Sequence, residues 1–107
     1  MSKPLLEAIG MPAMLEQTAE ECCELGKACL KLARIMRDEN KAYISESEAY
    51  ANLVEEIADV KLCLEELIGP YSDIDKGSAV VDEDYVQLMY TQKVERMINR
   101  LHEQEVK

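Results

Sequence analysis

The feature that most constrains the fold is the recurrence of apolar residues every three or four positions along three segments. The first segment, from about Pro12 to Arg37, carries Leu15, Thr18, Cys22, Leu25, Cys29, Leu32 and Met36. The second carries Leu53, Ile57, Val60, Leu64 and Leu67, and the third carries Val86, Met89 or Tyr90, Val94, Met97 or Ile98, and Leu101. This spacing is typical of amphipathic helices, so the chain is predicted to be all-α with three main helices.

The predicted helix ends follow from local signals. Pro12 suits a first helical turn, and the S-x-x-E pattern of Ser45–Glu48 is a capping box that begins helix two. Gly69–Pro70 ends helix two, and Asp82 is the candidate N-cap of helix three. The Ala-Val-Val stretch at 79–81 is too short for a strand. Three stretches are predicted to lie outside the main helices: the lead-in 1–11 with one short helical turn, the connection 38–43 and the loop 71–81.

The length and net charge of the chain limit the classes of protein to which it can belong. A chain of 107 residues suits a single domain over 1–107, and three amphipathic helices of this size are expected to complete a four-helix core by dimerisation. The net charge of -10 argues against binding nucleic acid, and equally against an anionic membrane surface. No segment has the roughly 20 apolar residues of a membrane span.

Cysteine usage indicates a reducing compartment. The four cysteines include no C-x-x-C pair and the chain has one histidine, so a structural zinc site is not expected. No secretory signal begins the sequence, and a cytoplasmic location with free thiols is predicted. Cys22, Cys29 and Cys63 are then expected to fill the core as small apolar residues, while thiol catalysis by Cys23 lacks a histidine partner.

Two pairs of acidic residues are the candidate metal-binding groups of the chain. Glu21 with Glu24, and Glu56 with Asp59, are each three residues apart, which places the members of a pair about 60° apart on a helix. Both pairs border the apolar stripe of their helix, so packing of the two stripes brings four carboxylates together. Such a cluster is costly without a cation, and Mg²⁺ is the natural candidate. The alternative is that both pairs lie at the boundary and face solvent.

Helix three adds a basic cluster of Lys93, Arg96 and Arg100, with Asn99 beside it. The three cations recur at a spacing of three and four residues and therefore share a helix face. Cations on one face suit a phosphate chain that also reaches a metal ion. The alternative is exposed ion pairing with Glu95, Glu103 or a neighbouring helix.

These motifs resemble a known family. Glu21-x-x-Glu24 followed by Glu56-x-x-Asp59 resembles the ExxE…ExxD signature of the MazG-like, all-alpha NTP pyrophosphohydrolases. The stretches EECCEL, EEIADV and QKVERMINR resemble the sequences around the family's two acidic motifs and its third-helix K-x-x-R. The resemblance runs from about Leu15 to Leu101. The 31 residues between Glu24 and Glu56 are somewhat more than the family has, a difference expected to affect substrate preference.

The resemblance implies a MazG-like helical bundle, and an enzyme that converts a nucleoside triphosphate and water into a nucleoside monophosphate and pyrophosphate. It implies a homodimer or homotetramer with a housekeeping role in the nucleotide pool. Mg²⁺ is the implied cofactor, with Mn²⁺ as a substitute. The implied metal ligands are Glu21, Glu24, Glu56 and Asp59. The implied phosphate-binding residues are Lys93 and Arg96, with Asn99 and Arg100 as weaker candidates.

A water molecule is the expected nucleophile, with Glu20 or Glu24 taking its proton. Within the superfamily, phosphoribosyl-ATP, dUTP or dCTP are alternative substrates, because no residue pattern specifies the base. A di-iron helical protein would need ExxH motifs, which this chain lacks. An acidic helical protein that only self-associates or binds a partner is the alternative from a different class.

Overall fold

The structure is a computed structural model that describes residues 5–39, 44–68 and 81–106. It contains four helices: α1 (Leu5–Ile9), α2 (Met11–Met36), α3 (Glu46–Ile68) and α4 (Glu83–Val106). No strand occurs in these three ranges, so the all-α prediction is confirmed. The short turn predicted in the lead-in is α1. The predicted helix end at Gly69–Pro70 and nearly all of the loop 71–81 lie outside the described residues.

The predicted starts of helices two and three are confirmed by the capping contacts of α3 and α4. The Ser45 hydroxyl accepts a hydrogen bond from the Glu48 N–H at 3.1 Å, and the Asp82 carboxylate accepts one from the Asp84 N–H at 2.8 Å. Each bond satisfies an N–H of the first turn that has no partner within the helix. Gly10 separates α1 from α2 with a φ of 87°, a backbone conformation that a residue with a Cβ rarely adopts.

α2 and α3 form an antiparallel hairpin. The start of α2 meets the end of α3, where Met14 packs with Cys63 and Leu67, and Leu6 of α1 covers the same cluster. Glu21, further along α2, lies beside the earlier α3 residue Glu56, which fixes the antiparallel direction. The rest of the core continues along the two helices and consists of Ala28, Leu32, Ala49 and Val60.

The face that α2 buries differs from the predicted stripe. Leu32 is buried, but Leu15 and Met36 are 45% and 67% exposed, and Cys22 and Cys29 are also exposed. The prediction that Cys22 and Cys29 fill the core was therefore wrong, whereas Cys63 is buried as predicted. A single partner helix covers only one side of an apolar arc wider than about 100°, and α3 covers the side that carries Met14.

A buried carboxylate fastens α1 to the hairpin. Glu66 of α3 is 5% exposed, and its two carboxylate oxygens accept hydrogen bonds from the N–H groups of Leu5 at 2.8 Å and Leu6 at 3.3 Å. Backbone N–H groups at the start of a helix have no intrahelical partner, so Glu66 satisfies donors that α1 itself leaves open. No motif or spacing in the sequence indicates this role for Glu66.

Between Glu83 and Glu105, α4 has no buried side chain, and it makes at most marginal contact with the other described helices. In this arrangement α4 does not bring Lys93, Arg96 and Arg100 to the acidic residues of the hairpin. Its apolar residues remain exposed, including Tyr90 at 63%, Met97 at 62% and Leu101 at 54%. An uncovered helix of this kind gains little stability from packing, which is the main source of helix stability in proteins.

Candidate metal centre

Three carboxylates from the hairpin meet at one point. Glu21 of α2 and Glu56 and Asp59 of α3 each place a carboxylate oxygen within 4.8 Å of those of the other two. Glu21 and Glu56 are partly buried and Asp59 is exposed, so the group lies at the edge of the helix interface and opens to solvent. We call these three residues the carboxylate triad.

Residues of the neighbouring turn fix the position of the triad. The Gln17 side-chain amide donates a hydrogen bond to the Glu21 carboxylate at 2.9 Å, which restricts the orientation of that carboxylate. One turn away, the Thr18 hydroxyl donates to the Met14 carbonyl at 2.8 Å, beside the buried Cys63 thiol. Burial raises the pKa of the Cys63 thiol, so this group is a neutral part of the core beside the triad.

The surroundings of the triad disfavour a charged Glu56 carboxylate in the absence of a cation. The Oε2 atom of Glu56 is inaccessible to solvent and has no hydrogen-bond partner. Its desolvation raises the pKa of Glu56, and the neighbouring charges of Asp59 and Glu21 raise this pKa further. The ion pairs found among residues 5–39, 44–68 and 81–106 include no member of the triad.

This donor set fits a hard divalent cation. The triad offers oxygen ligands alone, which suits Mg²⁺ or Mn²⁺ better than zinc in a thiolate or imidazole site. A cation bound there would stabilise the charge of the Glu56 carboxylate, which desolvation and the neighbouring acids disfavour. It would also offset the repulsion among three like charges, a cost that grows as water is excluded.

The fourth predicted ligand lies apart from the triad. The Glu24 carboxylate forms an exposed ion pair at 3.3 Å with the Lys27 ammonium group on the same helix. Its charge still raises the pKa of Glu56, so the two carboxylates are near one another. Glu20, the other predicted general base, is exposed and about 100° around the helix from Glu21. The described geometry thus brings together three of the four predicted ligands.

The predicted phosphate-binding cations share a face, as their spacing indicated. Lys93, Arg96 and Arg100 line a recess of about 230 Å³ on α4 together with Met97. None of these cations forms an ion pair within the described part of the chain, so pairing with Glu95 or Glu103 is not seen there. Asn99 is exposed and does not line this recess, because it lies about 120° around the helix from Lys93.

Comparisons of the chain with protein-family models, with curated proteins and with solved structures found no match. The MazG-like resemblance therefore stays a prediction, and the function has to be argued from the site itself. None of the described helices is long and apolar enough to cross a lipid bilayer.

Glu56 is expected to make the metal-free protein less stable as the pH rises. The pKa of Glu56 in the folded state is above the ordinary value of 4.5, so the folded protein holds this proton more tightly than the unfolded chain does. The resulting stabilisation is present below pH 4.5 and is lost as the pH rises through the folded-state pKa. We expect the stability of the wild-type protein relative to Glu56→Gln to fall from about pH 4 to about pH 8. Urea unfolding in EDTA measures this.

The exposed Glu65 on the same helix supplies the control, because Glu65→Gln removes one carboxylate without touching the triad. This variant is expected to follow the wild-type pH dependence. Parallel curves for the wild type and Glu56→Gln across the whole pH range would contradict the argument.

Proposed function

We propose that this chain is a Mg²⁺-dependent hydrolase that cleaves a nucleoside triphosphate to a nucleoside monophosphate and pyrophosphate. The observation that carries the proposal is the carboxylate triad, in which the buried Oε2 of Glu56 has no hydrogen-bond partner. The MazG-like motifs add support, since the triad residues are three of the four acids in those motifs. The chemistry requires no covalent nucleophile.

Glu21, Glu56 and Asp59 would hold the metal ion. Bound Mg²⁺ supplies the polarisation of phosphate oxygens and the lowered pKa of a coordinated water. Gln17 keeps the Glu21 carboxylate turned toward the other two through its 2.9 Å hydrogen bond. Glu24 is the better of the two candidate general bases, because its charge already acts on Glu56 and its partner Lys27 is exposed and easily displaced.

The cations of α4 suit the phosphates of the substrate. Lys93, Arg96 and Arg100 form a positively charged recess in a chain with a net charge of -10. Their charges would offset those of the triphosphate and stabilise the charge that develops on the leaving pyrophosphate. Arginine suits this role because its planar group can donate two parallel hydrogen bonds to one phosphate.

The hairpin also carries an exposed apolar surface on the side away from the triad. We call it the apolar flank and define it by Leu15, Cys22, Ile57 and Leu64. Its side chains are exposed, with Leu15 at 45%, Ile57 at 49% and Leu64 at 44%. It lies about 80–120° around from Glu21 on α2 and from Glu56 on α3, and further still from Asp59. We propose that it joins two hairpins into a four-helix bundle, giving a homodimer from which a tetramer can form.

The apolar flank equally favours the second candidate function, a self-associating protein without enzymatic activity. Release of pyrophosphate decides between the two. We expect release from a panel of ribo- and deoxyribonucleoside triphosphates in Mg²⁺ or Mn²⁺, and none in EDTA. If pure protein releases no pyrophosphate from any of them, or from phosphoribosyl-ATP, the hydrolase proposal is wrong. The relative rates on this panel identify the preferred base.

Ile57→Glu is expected to weaken self-association by at least about a hundredfold, because it places a charge within an apolar interface. Light scattering coupled to size exclusion, over a range of protein concentrations, measures the effect. Leu62→Glu is the matched control: Leu62 is 54% exposed on the same helix, about 140° around from Ile57 and outside the apolar flank. Equal effects of the two substitutions, or a monomeric wild type, would count against this interface.

A further inference from the structure

We infer that the first half of α4 binds the base of a nucleoside triphosphate by stacking it against Tyr85 and Tyr90. The inference rests on the proposed function for the identity of the ligand, since it assigns a base site to the molecule whose phosphates the α4 cations suit. The base site itself follows from the residues that line one side of α4. Binding measured without metal and without turnover tests it.

Two recesses follow one another along the same side of α4. The first has a volume of about 430 Å³, is lined mainly by apolar and aromatic side chains, and extends from Tyr85 to Lys93. The second is the basic recess of about 230 Å³, which extends from Lys93 to Arg100. Lys93 lines both, so the two recesses adjoin. A lysine suits this junction, because its methylene stem is apolar and its ammonium group is charged.

The apolar recess is flanked by two tyrosines. Val86 and Met89 are half-buried. They lie between the helical positions of Tyr85 and Tyr90, which are about 140° apart around α4. Both tyrosines are 63% exposed, so their rings are accessible to a ligand. Aromatic rings beside an apolar floor are the surroundings against which a planar base stacks.

The position of these tyrosines is unusual for a chain with so few aromatic residues. The sequence has five tyrosines and no phenylalanine or tryptophan, and two of the five line this one recess. The core of the described helices is built from aliphatic side chains with Met14 and Cys63, so it uses no aromatic ring. Tyrosines next to the unpaired cations of α4 favour a ligand that is planar at one end and anionic at the other.

A nucleoside triphosphate has this shape. At 1.5 Å per residue, the apolar recess covers about 12 Å of the helix axis and the basic recess about 10 Å. A base between Tyr85 and Tyr90 therefore places the phosphates toward the C-terminus of α4, beside Arg96 and Arg100. An inorganic polyphosphate has no base and a free nucleoside has no charge, so neither would occupy both recesses.

The lining of the apolar recess also predicts weak discrimination among bases. Of the described residues, no asparagine, glutamine or acidic side chain lines it, so the base edge meets no amide or carboxylate that selects one base. Stacking accepts every base, because each has a π-face. We therefore expect the Kd values for ATP, GTP, CTP and UTP to lie within about tenfold of one another.

Two ligands that differ by the nucleoside test the inference. Titration calorimetry in EDTA, where the metal centre is empty and no hydrolysis is expected, measures the affinities for ATP and for inorganic tripolyphosphate. We expect Tyr90→Ala to raise the Kd for ATP by about 5- to 100-fold, the range that loss of one base–aromatic stack costs. The same substitution should leave the Kd for tripolyphosphate within about twofold of the wild-type value.

Three further variants distinguish stacking from a structural role. Tyr90→Phe keeps the ring and should bind ATP as the wild type does. Tyr50→Ala removes a tyrosine of α3 that is 60% exposed, and it should have no effect. Lys93→Met removes the shared cation and should weaken the binding of ATP and of tripolyphosphate alike. Alanine is the best helix former, so replacing the exposed Tyr90 by alanine is not expected to unfold α4.

Each result decides the inference. It is overturned if the wild type does not bind ATP, or binds ATP no more tightly than tripolyphosphate. Equal losses of affinity for both ligands in Tyr90→Ala would also overturn it. A Tyr90→Ala variant that binds ATP normally but self-associates more weakly would show that a second copy, and no base, covers these tyrosines.

The proposed function can fail separately from the base site. If Tyr90→Ala lowers ATP affinity selectively but the wild type hydrolyses no triphosphate in Mg²⁺, the hydrolase proposal is wrong and the base site stands. If ATP is hydrolysed while Tyr90→Ala leaves its binding unchanged, the hydrolase proposal stands and the base site is wrong.

Discussion

Glu56→Gln and Asp59→Asn are each expected to lower Mg²⁺-dependent release of pyrophosphate by at least about a hundredfold. Loss of a hydrogen-bond partner that only orients a metal ligand costs 10- to 100-fold in many metalloenzymes, and loss of a ligand is expected to cost more. Both substitutions keep the shape of the side chain and remove its charge. Their effect can therefore be assigned to metal binding, which equilibrium dialysis with Mn²⁺ measures beside the rate.

Stability separates this effect from unfolding. In the metal-free protein the charged Glu56 is disfavoured by desolvation and by the charges of Asp59 and Glu21, so Glu56→Gln should fold at least as well as the wild type near neutral pH. Glu55→Gln, one residue away on an exposed position, is the activity control and should retain most of the rate. A Glu56→Gln variant that keeps the full Mg²⁺-dependent rate of pyrophosphate release would contradict the metal-centre proposal.

The sequence predicted the helices and all three members of the triad, mainly because both depend on local spacing. Apolar residues at steps of three and four indicate a helix whatever it packs against, and the caps at Ser45 and Asp82 depend on residues within one turn. The pairing of Glu56 with Asp59 is likewise fixed by a three-residue spacing. Glu21 could be added because its position at the border of a stripe places it near the partner helix.

What the sequence did not predict depends on the identity of the packing partner. The arc of apolar residues on α2 is wide enough for two neighbours, and periodicity alone does not tell which side meets α3 and which side stays open. The exposure of Cys22 and Cys29 follows from this. Glu24 was predicted as a ligand but lies apart from the triad, because its side chain pairs with Lys27, three residues along the same helix.

The position of α4 and the role of Glu66 escaped prediction for a different reason. Both depend on segments far apart in the sequence: Glu66 binds N–H groups about 60 residues earlier, and α4 makes at most marginal contact with the other described helices. A buried glutamate within an acidic sequence also carries no local signal. In the sequence Glu66 looks like the solvated carboxylates around it, because its burial depends on the packing of α1.

Met14→Ala is expected to cause the largest loss of stability of any single truncation in the described core. Met14 is 0% exposed and packs with Leu6, Cys63 and Leu67, where α1 closes the end of the hairpin. Replacing a buried methionine by alanine costs about 2–5 kcal/mol in the free energy of unfolding, out of a total of about 5–15 kcal/mol for a small domain. Each kcal/mol lowers the Tm by about 4–8 °C at this size.

Urea and thermal unfolding at one fixed protein concentration measure this cost, because the stability of an associating chain depends on concentration. Met36→Ala is the matched control: Met36 lies in the last turn of the same helix and is 67% exposed, so its truncation should cost less than about 0.5 kcal/mol. Equal costs for Met14→Ala and Met36→Ala would mean that Met14 is not part of a packed core.

Mg²⁺ then shows whether the core and the metal centre are separate units. The Met14 side chain packs against Cys63, which lies one turn from the triad residue Asp59, so a truncated Met14 can disturb the triad through this packing. If the triad keeps its geometry, saturating Mg²⁺ should stabilise Met14→Ala by the same increment as the wild type, because that increment depends on affinity alone. A smaller increment would show that the packing beneath the triad sets the distances among its carboxylates.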